Sequence, residues 1–195
     1  MILSIEQIKK LRDETGISIG KCKEALEKTQ GDVEKAKDIL RKSGQEIAKK
    51  RSGKDAKDGI VDIYLHANHK LGVMLSLRCE SDFVARSEEF QKLAHEVCLQ
   101  IAAMSPLYLR KEDIPLEREK QEKEIYKEQM KDSDKPKEVL DKIIEGKFKK
   151  WQAEVVLLRQ PWIKDQGKTI AELLEETVSK LKEKIEISQF VRFEI

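Results

Sequence analysis

No run of apolar residues in this chain approaches the roughly 20 that a helix needs to cross a bilayer, so a membrane-spanning role is not expected. There is no surplus of positive charge either. Lys and Arg number 39 against 37 Asp and Glu, a formal net charge of +2. Bulk nucleic-acid binding needs a cationic excess, so no direct nucleic-acid partner is expected. Cysteine is scarce. Cys22, Cys79 and Cys98 are an odd number at wide spacing, with no C-x-x-C pair, which excludes a disulfide framework and argues against a zinc site. Reduced structural thiols in a reducing, cytoplasmic compartment are the expectation.

Catalytic motifs are missing too. No G-x-x-x-x-G-K-[ST] or G-x-G-x-x-G loop is present to cradle a phosphate. His66, His69 and His95 have no Ser or Cys partner at a motif spacing. The many carboxylates follow solvated helix faces. The reading is a protein that is not an enzyme, with no catalytic residue, no metal and no cofactor. Met1-Ile2-Leu3-Ser4 leads at once into a helical pattern, so no targeting segment is expected.

What is present is charge and helical periodicity. Charged residues make up 39% of the chain, so much helix surface must face water. Residues 4 to 44 read as three short helices. Ser4 and Gln7 form a capping box before Ile5, Ile8 and Leu11, and Thr15-Gly16 breaks the pattern. Ser18 is placed to cap a second helix with Ile19, Cys22 and Leu26 on its apolar face. Gly31-Asp32 breaks and caps again before Val33, Ala36, Ile39 and Leu40, and Ser43-Gly44 is expected to end the third helix. Residues 45 to 58 are rich in Lys and read as a basic linker or a helix extension.

Strands follow. Residues 60 to 65 form one, 66 to 69 a turn, and Val73, Leu75 and Leu77 alternate with Met74, Ser76 and Arg78 in the next. One helix is expected from Asp82 to Met104, with Phe90, Leu93, Val97 and Ile101 inward, stopped by Ser105-Pro106. Residues 116 to 130 form a densely charged helix and 132 to 136 a turn. Leu140, Ile144, Phe148, Trp151, Val155 and Leu158 then recur by fours and threes as a coiled-coil seam. A seam so long beside a poorly apolar first arm leaves room for a second protomer. Gln160-Pro161-Trp162 ends the arm, and Thr169 is expected to cap a helix with Leu173, Leu174 and Leu181. Ile187, Gln189, Val191, Phe193 and Ile195 share one face of a closing strand.

One short stretch stands apart, Cys79-Glu80-Ser81-Asp82-Phe83-Val84-Ala85-Arg86. Ser81 or Asp82 would cap a helix there. Phe83 falls in the first turn, either packed on the sheet as a staple or pushed outward. Pattern alone leaves both open.

Ser81 to Arg86 resembles the Thr-Asp-Phe-Val-Ala-Lys/Arg signature of the elongation factor Ts family. Leu11 to Gly16, with Cys22-Lys23-Glu24-Ala25-Leu26, is similar to that family's other signature. Tyr64-Leu65-His66 with Lys70-Leu71-Gly72-Val73 resembles its strand-turn-strand. Lys135 to Glu138, Glu145-Gly146-Lys147, Gln160-Pro161-Trp162 and Phe190 to Glu194 follow in family order. Ser81 stands for the usual Thr, Arg78 for a common Asn, and Gly20 for a bulky apolar residue of the longer members.

The resemblance implies an α+β fold: a three-helix, ubiquitin-associated-like module over 1–44, the linker over 45–58, and a core of a small antiparallel sheet with helices over 59–112 and 160–195. An antiparallel coiled-coil hairpin over 113–159 is inserted in that core. The implied activity is guanine-nucleotide exchange on elongation factor Tu. Ser81, Asp82, Phe83 and Val84 face Tu's nucleotide-binding domain, with Phe83 wedged near the magnesium and phosphate site. Arg12 and Ile19 dock the N-terminal module on the same domain. His66, with Leu71 and Gly72 of the same turn, faces a second Tu domain. A single strand-turn-strand and an end at Ile195 imply the short form, which tends to work as a homodimer. The alternative from another class is a structural adaptor without exchange activity.

Overall fold

The computed structural model describes residues 4–131, 133 and 136–195, so the turn expected at 132–136 lies mostly outside the described residues. Three helices open the chain: α1 (Ile5–Thr15), α2 (Ile19–Lys28) and α3 (Val33–Arg51). The capping box is formed. The Glu6 amide donates to Ser4 Oγ at 3.2 Å and the Ser4 amide to Gln7 Oε1 at 3.4 Å. Gly16 ends α1 at φ +66°, the left-handed conformation that glycine takes without steric penalty. Asp32 Oδ1 accepts from the Lys35 amide at 3.1 Å and starts α3.

Two local expectations fail here. The Ser18 side chain makes no cap hydrogen bond. Ile19 is 50% exposed, and the inward stripe of α2 is Cys22, Ala25 and Leu26. Ile17, in the preceding loop, fills the core instead, beside Ile8, Leu11, Ala36 and Leu40.

The third helix runs straight through Ser43-Gly44 to Arg51. A Cβ on buried Gly44 would lie 3.3 Å from Ser179 Cβ. Glycine is therefore there to let a neighbouring helix approach and does not stop α3. The basic extension is its last turns, where Lys49, Lys50 and Arg51 meet the negative end of the helix dipole.

The sheet is antiparallel and has three strands: β1 (Asp58–Leu65), β2 (Leu71–Cys79) and β5 (Ile185–Glu194), in the order β1-β2-β5. Gly59 sits at φ +150°, and a Cβ there would fall 2.2 Å from the Leu77 carbonyl oxygen, so no other residue fits. The closing strand does not keep one face. Ile185 and Ile187 are buried, yet Val191, Phe193 and Ile195 are exposed while Phe190 and Arg192 are half-buried. The burial alternation changes phase at Ser188-Gln189, both exposed, because what covers the strand differs between its two ends.

The helix expected over 82–104 is two helices, α4 (Asp82–Ala85) and α5 (Glu88–Met104). Ser87 makes the break. Its hydroxyl donates to the Val84 carbonyl at 2.8 Å and accepts from the Phe90 amide at 3.4 Å, closing one helix and opening the next. Phe90, Leu93, Val97 and Ile101 are buried as the period predicts.

Helices α6 (Leu116–Gln129) and α7 (Lys137–Val155) follow and pack on each other. Phe148, Trp151, Ile114 and Val156 form a cluster bordered by Tyr108, Tyr126 and Val155. Leu158 falls outside α7, in a 3-10 turn at Leu157–Arg159, so the helical seam ends at Val155. A short pair not foreseen, β3 (Pro161–Trp162) and β4 (Asp165–Thr169), leads into α8 (Ile170–Leu181). Beside it two fully buried amides satisfy each other and the backbone. Gln100 Nε2 donates to Gln160 Oε1 at 3.1 Å, and Gln160 Nε2 to the Glu154 carbonyl at 2.7 Å.

By contact pattern the described chain divides into two units. One holds residues up to 62, with 76–94 and 172–188; the other holds 63–75, 95–171 and 189–195.

Candidate functional site

The Cys79–Arg86 stretch lies in the first unit. Ser81 leaves β2 in extended backbone (φ −133°, ψ 155°), and its Oγ accepts from the Val84 amide at 3.4 Å. Ser81, not Asp82, is therefore the cap. The helix it starts has four residues, Asp82–Ala85. Such a turn has no stability of its own, and burial of one side helps to hold it. Val84 and Ala85 are 5% and 4% exposed. Phe83 is 81% exposed. The staple reading is thus set aside: the ring stands outward and makes no core contact. Asp82 is exposed too, paired with Arg86 at 3.0 Å, a solvated ion pair of little energetic consequence.

Val84 packs inward and anchors the turn on which Phe83 stands.

Polar groups beneath the turn come from far along the chain. The Ser81 amide donates to Glu183 Oε2 at 3.0 Å and the Ser81 hydroxyl to Glu183 Oε1 at 2.7 Å. Glu80 accepts from the Lys184 amide at 2.6 Å and from Arg51 Nη1 at 3.1 Å. The Cys79 thiol donates to the Ser81 carbonyl at 3.1 Å. Burial, and next the negative charge of Glu183, push that thiol up to about 11. Glu183 and Arg51 escaped the sequence reading, since neither carries a local signal. Glu80 lay inside the stretch singled out, but nothing marked its partner.

The N-terminal candidates lie in the same unit. Arg12 is exposed in the last turn of α1, where its carbonyl accepts from the Gly16 amide, and Ile19 is half exposed at the start of α2. His66, Leu71 and Gly72 belong to the other unit. His66 is exposed at the β1–β2 turn, its Nδ1 2.8 Å from the Tyr64 hydroxyl. Leu71 and Gly72 are half-buried.

All three cysteines are buried and unpaired with one another. Among the described residues, no group of three or more His, Cys, Asp or Glu is placed to hold a metal ion. No helix among them is long and apolar enough to cross a membrane. The site offers a protruding ring on a braced turn, which suits contact with a macromolecule better than covalent chemistry.

Comparison with known proteins gives a consistent result. The family model described as Elongation factor TS matches residues 8–195. Elongation factor Ts of Thermotoga petrophila is 47% identical over 195 residues, covering 100% of this chain and 97% of that protein. Elongation factor Ts of Coprothermobacter proteolyticus is 46% identical over 193 residues, covering 99% and 98%. That of Thermodesulfovibrio yellowstonii is 48% identical over 195 residues, covering 100% and 97%.

Proposed function

The chain belongs to the elongation factor Ts family, and we propose that it is the guanine-nucleotide exchange factor of elongation factor Tu, acting in the cytoplasm during translation elongation. It binds Tu in its GDP form and speeds GDP release by mechanical contact, with no bond made or broken by its own residues. Phe83 is the wedge. It enters Tu's nucleotide-binding domain near the magnesium and phosphate site, with Asp82 and Ser81 beside it. The observation that carries this reading is the 81% exposure of a phenyl ring flanked by Val84 at 5%. A ring so exposed gains roughly 1.5–3 kcal/mol when a partner buries it, and its braced base limits the ordering cost of binding.

Arg12 and Ile19 dock the N-terminal module, read as ubiquitin-associated-like, on the same Tu domain. His66 at its turn, with Leu71 and Gly72, meets a second Tu domain. The hairpin of α6 and α7 is read as an antiparallel coiled coil. The test is GDP release from Tu loaded with a fluorescent GDP. Addition of this chain accelerates release; an adaptor would leave the rate unchanged.

The homodimer finds its support on the sheet more than on the helical seam, where Phe148 and Trp151 are already covered. Ile63, Leu65, Met74, Val191, Phe193 and Ile195 are all exposed on the strands or at the end of β5, and apolar side chains gathered this way favour association. Sedimentation at tens of micromolar is expected to show a dimer, and Phe193→Asp a monomer.

A further inference from the structure

We infer that Glu183 is a positioning residue for nucleotide exchange: its carboxylate, with Glu80 as the reciprocal partner, sets the direction in which Phe83 projects. The inference rests on the wedge reading above and adds to it the group that aims the wedge.

Phe83 is nearly free of packing, so nothing touching its ring holds it in place. Its direction is therefore set by the backbone of residues 81–85. That backbone is one helical turn, too short to persist alone. Two things hold it, the burial of Val84 and Ala85 and the anchoring of Ser81. The Ser81 amide and hydroxyl meet the two oxygens of one carboxylate, at 3.0 and 2.7 Å. Hydrogen bonds to an ionised acceptor are the strong kind, and here two of them fix both the backbone and the side chain of the residue that caps the turn.

The geometry is reciprocal. Glu183 reaches from the α8–β5 connection to Ser81, and Glu80 reaches back to the Lys184 amide at 2.6 Å. Residues 80–81 and 183–184 are thus crossed by two carboxylates. Glu80 also takes Arg51 from the last turn of α3, at 3.1 Å. The helix that ends the N-terminal module is thereby tied to the base of the Phe83 turn. On the far side, Lys182 has φ +62°, a left-handed backbone that costs a non-glycine residue energy and turns the chain out of α8 just before Glu183. The arrangement removes backbone freedom from the turn before the partner arrives, so that contact with Tu moves Tu and not the turn.

The test uses the intact chain and Glu183→Gln. The amide keeps size and shape but carries no charge, and its NH2 group can meet Ser81 only by making the hydroxyl an acceptor, so both charge-assisted bonds are lost. Hydrogen exchange of the free protein is read first. The amides of residues 84–87, which bond back into the turn, are expected to lose about tenfold or more in protection, while those of 73–77 in β2 stay unchanged. GDP release from Tu is read second, with a fall of about tenfold in the rate at limiting protein. In a Phe83→Ala background the same change is expected to cost little more, because a misaimed wedge and a missing one are equivalent. That non-additivity is what a merely structural role would not produce. If Glu183→Gln lowers the thermal midpoint too far to be read, Ser81→Ala, which removes one donor, is expected to give a smaller loss in the same direction. Unaltered protection at 84–87, or an equal loss with and without the Phe83 ring, would overturn the inference. Normal release by Phe83→Ala would instead overturn the wedge, and with it any exchange role for Glu183.

Discussion

Phe83 and Val84 are consecutive in the chain and opposite in environment, one 81% exposed and the other 5%. The single turn of α4 separates the two directions. Phe83→Ala is expected to leave the thermal midpoint within about 1 °C, since no core cavity is made. It is expected to reduce GDP release at least about tenfold, the effect of losing one buried ring. Val84→Ala should behave the other way. Removing buried methyl groups costs about 1–3 kcal/mol, or a midpoint several degrees lower. Calorimetry and the release assay on both variants check the pair. A large midpoint fall in Phe83→Ala with normal exchange would end the wedge reading.

Cys79 is expected to be chemically silent in the native chain. Its thiol is pushed up to about 11 from 9.0 by burial, with the Glu183 charge acting in the same sense. The reactive thiolate is therefore absent at neutral pH. Iodoacetamide at pH 8 should spare Cys79 in the native protein and label it readily in urea. A group with a raised folded value contributes stability that is full below its unfolded value and lost as pH rises through the folded one. Stability owed to Cys79 is thus constant up to about pH 9 and declines from there to about pH 11. Comparing Cys79→Ala with the parent across that range isolates this part, which should vanish in the variant.

Glu175 on α8 is a destabilising charge at neutral pH. Burial holds its carboxyl above the usual 4.5; the Gln45 hydrogen bond opposes this, and the charge of Glu172 adds to it. One carboxylate oxygen, Oε2, is buried without a hydrogen-bond partner. Because the folded value is raised, the stabilising contribution is full below about pH 4.5 and lost as pH rises through the folded value. Glu175→Gln is therefore expected to have a higher midpoint than the parent at pH 7, and the gap should narrow as pH falls towards 4. Thermal melts at the two pH values decide it; a gap that widens on acidification would contradict the account.

Two glycines give opposite expectations. Gly20 sits in α2 with at least 4 Å of open space around the place a Cβ would take. Gly20→Ala should then stabilise by roughly 0.5–1 kcal/mol through helix propensity. Gly59→Ala would drive its Cβ to 2.2 Å from the Leu77 carbonyl, at a φ of +150°. That variant is expected to fold poorly, with β1 detached from β2. Chemical denaturation of both checks the contrast.

Much of the local structure was legible in the residues themselves. The Ser4–Gln7 box, the Gly16 stop, the Asp32 cap, the alternation around Val73, Leu75 and Leu77, and the spacing of Phe90, Leu93, Val97 and Ile101 all came out as read. These signals depend on groups within about four residues of each other, so the order of the chain contains them in full. The family signature around Phe83 was equally plain, because a motif is itself a local string.

The rest was decided by partners distant in the chain. Gly44 reads as a helix stop until Ser179 is seen to need its missing side chain. Ile19 reads as core until Ile17 is found in its place. The phase of β5 depends on what covers each end of the strand, and the outward ring of Phe83 on which neighbours are buried. Ser81 and Glu183 are 102 positions apart. A carboxylate in a charged loop has no periodicity and no spacing rule that could mark it. Only the fold brings Glu183 beneath Ser81, because antiparallel pairing of β2 with β5 sets the end of one strand beside the start of the other.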